Sequence, residues 1–284
     1  MMDDDAVGVE GLREAILRLA YKRNMIGIGI SVYDEEVINS LLRAERYANL
    51  LAFATSEAGK ALEERGIDVI ISEQPDVELV QAIGSEIDGA VRGTLSARKV
   101  LSEIGKRGFP IERAVLLAHH HVELFLIPVG IDEGEKVDER IELAIKTASL
   151  VRTLGEYPRI AILSGGRLED RGRSAKVDTT LKEADEVTDA LTAYGIDVEH
   201  IGILIEKVAK KFNVLVAPDG ITGNIVFRTL TFLGGWESWG APLLTGLEKK
   251  FVYVDSSRTN MRYDRQIALA SALCTLYSKK KVEE

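Results

Sequence analysis

The sequence contains a single cysteine, Cys274, in a chain of 284 residues. One cysteine excludes a disulfide within the chain, and its place in an apolar helical stretch indicates a buried structural thiol. Basic residues are also in short supply, because 36 lysines and arginines face 45 aspartates and glutamates, a formal net charge of -9. A phosphate backbone requires a basic surface, so we expect no nucleic-acid partner.

Long apolar runs are missing as well. No stretch approaches the roughly 18 to 20 apolar residues that a membrane-spanning helix needs. The acidic start, MMDDDAVGVE, lacks the basic-then-apolar order of a signal peptide. We therefore expect no membrane partner and a cytoplasmic protein. Hydrophobic residues make up 46% of the chain and charged residues 29%, as in ordinary globular proteins.

Strand and helix patterns alternate over most of the chain. This alternation, with short glycine or polar corners, predicts a mainly parallel sheet covered by helices on both faces. The predicted strands are 25–30, 50–55, 68–72, 88–93, 159–164, 213–217 and 251–255. The predicted helices are 33–48, 56–65, 75–86, 95–105, 135–154, 178–194, 225–233 and 263–278.

The alternation changes at Gly108-Phe109-Pro110. Residues 113–130 look like two strands joined by a tight polar turn, which predicts an antiparallel hairpin. The change in topology indicates that a second α/β domain begins near residue 110.

Polar residues collect at three predicted strand ends, which is where open parallel sheets bind ligands. The first corner follows strand 159–164, and its glycines allow a ligand to approach the backbone. It contains Ser164, Gly165, Gly166 and Arg167, followed by Arg171, Arg173 and Lys176. This corner predicts either a phosphate-binding loop or a solvated surface loop.

The second corner is Gly223-Asn224, with Arg228 four residues further on. Asn224 is a candidate N-cap for helix 225–233, and Arg228 would lie on the same helix face. The free N–H groups and the helix dipole favour a bound anion. The alternative is a well-capped helix that carries an exposed arginine.

The third corner is Ser257-Arg258, followed by Asp264 at the start of the last predicted helix. An arginine can hold a phosphate or a developing oxyanion with two donors, and Asp264 could accept a proton. The alternative is structural: Ser257 would cap the helix and Asp264 would complement its dipole.

Two further motifs have structural interpretations. The consecutive histidines 119–121 cannot all face one metal ion in a strand, because neighbouring residues alternate between faces. We expect them in a hairpin turn and predict no metal site. The run GIGIS at 27–31 lacks the third glycine and the ribose-binding acid of a dinucleotide motif, so it predicts a buried strand.

Two segments resemble the C-terminal half of the phosphate acetyl/butyryltransferase family. They are FNVLVAPDGITGNIVFRTL and VYVDSSRTNMRYDRQIALASAL, which carry a Pro-Asp, a Gly-Asn with a basic residue four positions on, and a Ser-Arg with an Asp seven residues past the Ser. RIAILSGG and IDGAVRGTLSARKVLSEI resemble two other strands of that family, and the likeness spans roughly residues 20–278. EHIGILIE together with APDGITGN is similar to an archaeal branch, the methanogenesis marker protein 4 or MtxX family.

The resemblance implies two α/β domains with mixed, mainly parallel sheets and an interdomain cleft, an architecture shared with isocitrate and isopropylmalate dehydrogenases. The domains would be residues 1–109 with 256–284, and residues 110–255. It also implies a homodimer and a small-molecule phosphate or thioester ligand, such as CoA, with no other cofactor required.

The resemblance implies phosphate acyl transfer as one function. Asp264 would take the proton of an incoming thiol, Arg258 would hold the acyl phosphate, and Ser257 would hydrogen-bond the thiol or the tetrahedral centre. The chain departs from the family at 195–209, at Thr94-Leu95-Ser96 and at Arg228. A methyltransferase-associated role for a phosphate-ligand-binding protein is therefore a second hypothesis. A third, a relative of decarboxylating dehydrogenases, would need clustered acids for a divalent metal, and the sequence shows no such cluster.

Overall fold

The computed structural model describes residues 11–21, 23–257 and 262–279, without the side chains of residues 209, 210, 278 and 279. The strands are β1 Met25–Ile30, β2 Asn49–Ala54, β3 Val69–Ile71, β4 Gly89–Val91, β5 Val115–His119, β6 Val122–Ile127, β7 Arg159–Leu163, β8 Asp197–Gly202, β9 Val214–Val216, β10 Glu237–Pro242 and β11 Val252–Asp255. The helices are α1 Leu12–Leu19, α2 Glu35–Ala44, α3 Ser56–Glu63, α4 Pro75–Ala82, α5 Ala97–Lys106, α6 Val137–Thr153, α7 Ala175–Ala193, α8 Val208–Lys211, α9 Gly220–Arg228, α10 Leu244–Leu247 and α11 Tyr263–Lys279.

The strands form one mixed sheet of 11 strands in the order β3-β2-β1-β4-β11-β10-β5-β6-β9-β7-β8. Strands β3, β2, β1, β4 and β11 are parallel and make a first block. Strands β6, β9, β7 and β8 are parallel and make a second block. The antiparallel strands β10 and β5 join the two blocks. The fold is therefore α/β with a mainly parallel sheet, as predicted.

The two faces of the sheet are covered differently. One hydrophobic core packs α1, α2, α6, α7 and α11 on a face that runs across both blocks. On the opposite face, α4 and α5 cover the first block, whereas α8 and α9 cover the second. The boundary between these two smaller cores leaves a space between α5 and α9.

The chain returns to the first block at its end. Strand β11 pairs in parallel with β4, and α11 packs against α1 and α2. The sheet is continuous between the two blocks and marks no boundary there. The division into domains at residues 109 and 255 therefore stays a prediction.

Most predicted elements are present within a few residues of their predicted bounds. The predicted hairpin is β5–β6, whose turn contains His120 with a φ of 51°. The prediction for helix 225–233 was wrong at its start, because α9 begins at Gly220 and a π-helical turn follows it at Thr229–Leu233. The helices α1, α8 and α10 and the strands β8 and β10 were not predicted. No helix among the described residues is both long and apolar enough to cross a membrane.

Candidate functional site

A cleft of about 460 Å³ lies between α5 and α9. Its walls come from residues that follow β4, β6, β9 and β11, together with one face of β10. The carboxyl ends of strands are where open α/β sheets bind ligands, so the cleft is the candidate site. Asn224 and Arg228 from the second predicted corner and Ser257 from the third all line it.

The floor of the cleft is a buried chain of alternating charges. Arg92, just after β4, donates from Nε to Asp255 Oδ1 at the end of β11. Arg113 donates to Asp255 Oδ2 at 2.5 Å and to Glu133 Oε1 at 2.8 Å. Because two guanidinium groups match two carboxylates, this Arg92–Asp255–Arg113–Glu133 network adds no net charge to the cleft.

Burial and pairing oppose each other at Asp255. Burial alone would raise the pKa of the Asp255 carboxyl, but the Arg92 and Arg113 guanidinium groups outweigh it and hold that pKa below its ordinary value. Burial, and then the negative Asp255, raise the pKa of the neighbouring Tyr253 hydroxyl well above its ordinary value. Asp255 is therefore ionised at neutral pH, and its carboxylate bridges the guanidinium groups of Arg92 and Arg113.

Helix α9 is fixed to the loop after β6 by close backbone contact. A Cβ atom on Gly220 would lie 1.7 Å from the Gly130 carbonyl oxygen, and one on Gly223 would lie 1.9 Å from the Pro128 carbonyl oxygen. Only glycine fits at these distances. Asn224 Nδ2 adds a hydrogen bond of 2.9 Å to the Val129 carbonyl oxygen.

The N-cap of α9 is Asp219 and not Asn224, so that prediction was wrong. Asp219 Oδ1 accepts a hydrogen bond from the Thr222 N–H at 2.6 Å. Its carboxylate therefore supplies the negative charge that the helix start favours. Asn224 lies inside the helix, where its amide holds α9 against the 128–130 loop.

Arg228 is the last residue of α9 and is exposed in the cleft. Its guanidinium lies 5.1 Å from the ring centroid of Phe232. Among the described residues it forms no salt bridge, in contrast to Arg92 and Arg113. Arg228 therefore places a cation without a described ion-pair partner in the cleft. The exposed carboxylate of Asp132 also lines the cleft.

The third predicted corner is only partly described. Ser257 is half-buried and lines the cleft, whereas Arg258 lies outside the described residues. Asp264 is buried at the start of α11 and is not among the described residues that line the cleft. Its Oδ1 atom lies 3.6 Å from Arg262 Nε and 3.8 Å from Arg43 of α2.

The first predicted corner lies in a different place. Gly165, Gly166 and Arg167 line a second cavity of about 450 Å³, which shares no described lining residue with the cleft. Ser164 is buried beside it and hydrogen-bonds His200.

A larger cavity of about 890 Å³ lies between α1 and the amino ends of β7 and β9. We favour the smaller cleft as the site, because ligands bind at the carboxyl ends of parallel strands. No group of three or more His, Cys, Asp or Glu side chains in the described part of the chain is arranged to hold a metal ion.

No family model matches the chain. A protein of Methanosarcina acetivorans, named "Putative methyltransferase mtx subunit X", is 36% identical over 280 residues, which cover 95% of this chain and 98% of that protein. The chain belongs to the MtxX family. An uncharacterized methyltransferase of Methanopyrus kandleri is 34% identical over 233 residues, or 75% of this chain and 91% of its own length.

The fold of this MtxX-family chain is that of phosphotransacetylases. A phosphotransacetylase from Streptococcus pyogenes superposes with a TM-score of 0.66 at 17% identity, covering 95% of this chain and 99% of its own. A 4-hydroxythreonine-4-phosphate dehydrogenase from Klebsiella pneumoniae gives 0.59 at 11% identity, with 88% and 100% covered. At these identities the likeness concerns the fold alone.

The sequence patterns did not predict the charged residues that form the floor of the cleft. Arg92 and Asp255 each stand at a strand end, AVR and VYVD, which is a weak signal for a polar site. Nothing local indicates that they pair, because 163 positions separate them. Arg113 and Glu133 carry no local signal that we can identify.

Proposed function

We propose that this protein is a phosphate acyltransferase-like transferase that moves an acyl group between phosphate and a thiol such as CoA. The observation that carries the proposal is the convergence of Asn224, Arg228 and Ser257 on one cleft at the strand carboxyl ends. Arg258, which follows Ser257 directly in the sequence, would add a second cation. The phosphotransacetylase-like fold supports the proposal.

In the proposed reaction, the thiol attacks the carbonyl carbon of an acyl phosphate. The C–S bond forms, the bond from the carbonyl carbon to the phosphate oxygen breaks, and phosphate leaves with the bonding electron pair. Arg228 and Arg258 hold the phosphate oxygens, and Ser257 hydrogen-bonds the thiol or the tetrahedral centre. Asp264 takes the thiol proton. The attack is direct in this proposal, and Cys274, which is buried in α11, does not act as a nucleophile.

A second candidate function is favoured by the position of Asp264. Its carboxylate faces Arg43 and Arg262 and is outside the described cleft lining, so a base for the thiol is not evident there. A methyltransferase-associated protein that binds a phosphate-containing ligand without acyl transfer would need only the cleft cations. If the loop with Gly165, Gly166 and Arg167 binds phosphate as predicted, that phosphate would bind in the second cavity and not in the cleft.

Ligand binding tests the part that both candidates share. Calorimetric titration with acetyl phosphate and with CoA should show binding to the wild type. Arg228→Gln should weaken it roughly 10- to 100-fold, because a hydrogen bond to a charged group contributes about 1.5 to 3 kcal/mol. Arg46→Gln is the matched control, since Arg46 also stacks on an aromatic ring, that of Tyr47 at 4.7 Å, outside the cleft. Equal binding by both variants would contradict the proposed site.

A further inference from the structure

Three side chains beside the second cavity form a continuous hydrogen-bonded chain. His200 Nε2 lies 2.9 Å from Ser164 Oγ, and His200 Nδ1 lies 2.8 Å from Asp185 Oδ1. The serine follows β7, the histidine belongs to β8, and the aspartate comes from the middle of α7. Three separate elements thus bring a hydroxyl, an imidazole and a carboxylate into the order that nucleophilic serine sites use.

We propose that Ser164 is a nucleophile activated by His200, with Asp185 as the positioning residue, in a second site that takes small esters or thioesters carrying an anionic group. This site is separate from the cleft and does not depend on the acyl transfer proposed there. Its chemistry would be acyl hydrolysis through a serine ester.

His200 can act as a base towards Ser164 in one tautomer. When Nδ1 carries the proton, the Nδ1–H donates to Asp185 Oδ1 and the Nε2 lone pair faces Ser164 Oγ. The Ser164 hydroxyl also donates to the Gly166 carbonyl oxygen at 3.2 Å, so in the proposed site its proton turns from that oxygen to His200 Nε2. Asp185 is itself held by Arg171, whose Nη2 donates to the other carboxylate oxygen. Arg171 and His200 therefore fix the orientation of the Asp185 carboxylate, and the carboxylate in turn favours one orientation of the His200 ring.

The surroundings of Ser164 suit a small acyl group. Ser164 is only 3% exposed, but the two residues that follow it are glycines that line the cavity of about 450 Å³. Ser164 itself is not among the described residues that line the cavity, so a substrate would reach it past the backbone of these two glycines. Arg167 and Arg173 line the same cavity, so a substrate with a carboxylate or phosphate would find cations there. Arg173 Nη1 donates a hydrogen bond to Asp170 Oδ1 at 2.9 Å, so Arg167 is the main cation for binding the anionic group of a substrate.

The proposed reaction balances with water as the co-reactant. Ser164 Oγ bonds to the carbonyl carbon while its proton passes to His200 Nε2. The bond to the leaving alkoxide or thiolate then breaks, and that group takes the proton from His200. Water repeats the sequence on the serine ester and regenerates Ser164 and a carboxylic acid. The Gly165 N–H donates to Thr180 Oγ1 at 2.9 Å, so it would have to leave that hydroxyl to serve an oxyanion.

The test uses a fluorophosphonate probe, which phosphonylates activated serines, with the adduct located by peptide mass spectrometry. The full-length wild type should form an adduct on Ser164. His200→Gln should slow adduct formation by roughly 10² to 10⁴-fold, the usual contribution of a general base. Asp185→Asn should slow it by about 10-fold or more, and Asp185→Glu should restore much of the rate.

The controls separate reactivity at Ser164 from folding and from reaction at other serines. Ser149→Ala, at an exposed serine of α6, should react as the wild type does. Thermal unfolding must show that His200→Gln and Asp185→Asn are folded at the assay temperature. A folded wild type that forms no adduct on Ser164, or an adduct rate that His200→Gln or Asp185→Asn leaves unchanged, would overturn the inference.

Discussion

At the scale of single residues, Asp255 is the most consequential side chain of the cleft. It is buried and accepts hydrogen bonds from both Arg92 and Arg113. Replacing it by asparagine would leave the buried Arg92 guanidinium without its carboxylate partner and Arg113 with Glu133 alone. We therefore expect Asp255→Asn to lower the free energy of unfolding by about 3 to 5 kcal/mol, measured by urea denaturation at pH 7.

The control for this variant is Glu186→Gln. Glu186 pairs with Lys182 at 3.4 Å on the surface of α7, so its loss should change the unfolding free energy by less than about 0.5 kcal/mol. Equal effects of the two variants would show that the buried network does not stabilise the fold.

The effect of Asp255 should depend on pH. The pKa of its carboxyl is lowered in the folded state, so its contribution is complete above the ordinary value of 3.8 and is lost as pH falls through the lower folded value. The difference in unfolding free energy between wild type and Asp255→Asn should be constant from pH 5 to 7 and shrink below about pH 4. Denaturation curves at pH 3, 4, 5 and 7 would measure it, and a constant difference would contradict the pairing.

Cys274 should be inert in the folded protein. Burial, and then the negative Asp88, raise the pKa of its thiol far above the ordinary range, so almost no thiolate is present at neutral pH. We expect no reaction with a disulfide reagent at pH 8 over hours, and complete reaction within minutes in 8 M urea. Rapid reaction of the native protein would show that α11 does not pack the thiol against β4.

At the scale of elements, the position of α9 depends on two glycines. Gly223→Ala would place a methyl group 1.9 Å from the Pro128 carbonyl oxygen, so α9 must move away from the 128–130 loop. We expect a loss of about 1 to 3 kcal/mol in the free energy of unfolding. Binding of a phosphate ligand should weaken too, because α9 carries Asn224 and Arg228.

Gly105→Ala is the matched control for this helix glycine. Gly105 lies in α5, and a Cβ atom there would meet nothing within 4 Å. The substitution should stabilise the protein by about 0.5 to 1 kcal/mol, since alanine restricts the unfolded chain. Equal urea midpoints for the two variants would contradict the close packing of α9.

The same element shows how far the sequence could predict structure. The run APDGITGN indicates a strand-to-helix corner, and we predicted Asn224 as the cap of its helix. The helix instead begins at Gly220 after the cap Asp219, and only glycines at positions 220 and 223 allow the 128–130 loop to lie so close to it. Strand β10 was missed for a related reason, because ESWGAP has no strand periodicity and forms by pairing with β5 and β11.

At the scale of the whole molecule, the α/β architecture followed from alternating local patterns. The cleft could not be predicted from local patterns, because its walls meet only when β10 and β5 join the two blocks of the sheet. Asn224, Arg228 and Ser257 could be predicted as polar residues at strand ends. The contacts of Arg92 and Arg113 with Asp255 could not, since they cross 163 and 142 positions.

The predicted homodimer can be tested on the exposed apolar surface of the second block. Ile225 on α9 is 60% exposed and Leu233 after it is 85% exposed, which is typical of surfaces that bind another protein. We expect sedimentation velocity to show a dimer for the wild type and a monomer for Ile225→Lys. Val32→Lys, at a 63% exposed residue of the first block, should stay dimeric. A monomeric wild type would contradict the prediction.

Phosphate-dependent release of thiol from a panel of acyl-CoAs tests the proposed transfer most directly. Purified wild type should release CoA from at least one acyl-CoA when phosphate is present, and Asp264→Asn should release none while remaining folded. That result would establish the reaction and identify the acyl group. No release from any acyl-CoA by a folded wild type that still binds phosphate or CoA would contradict acyl transfer and favour ligand binding without it.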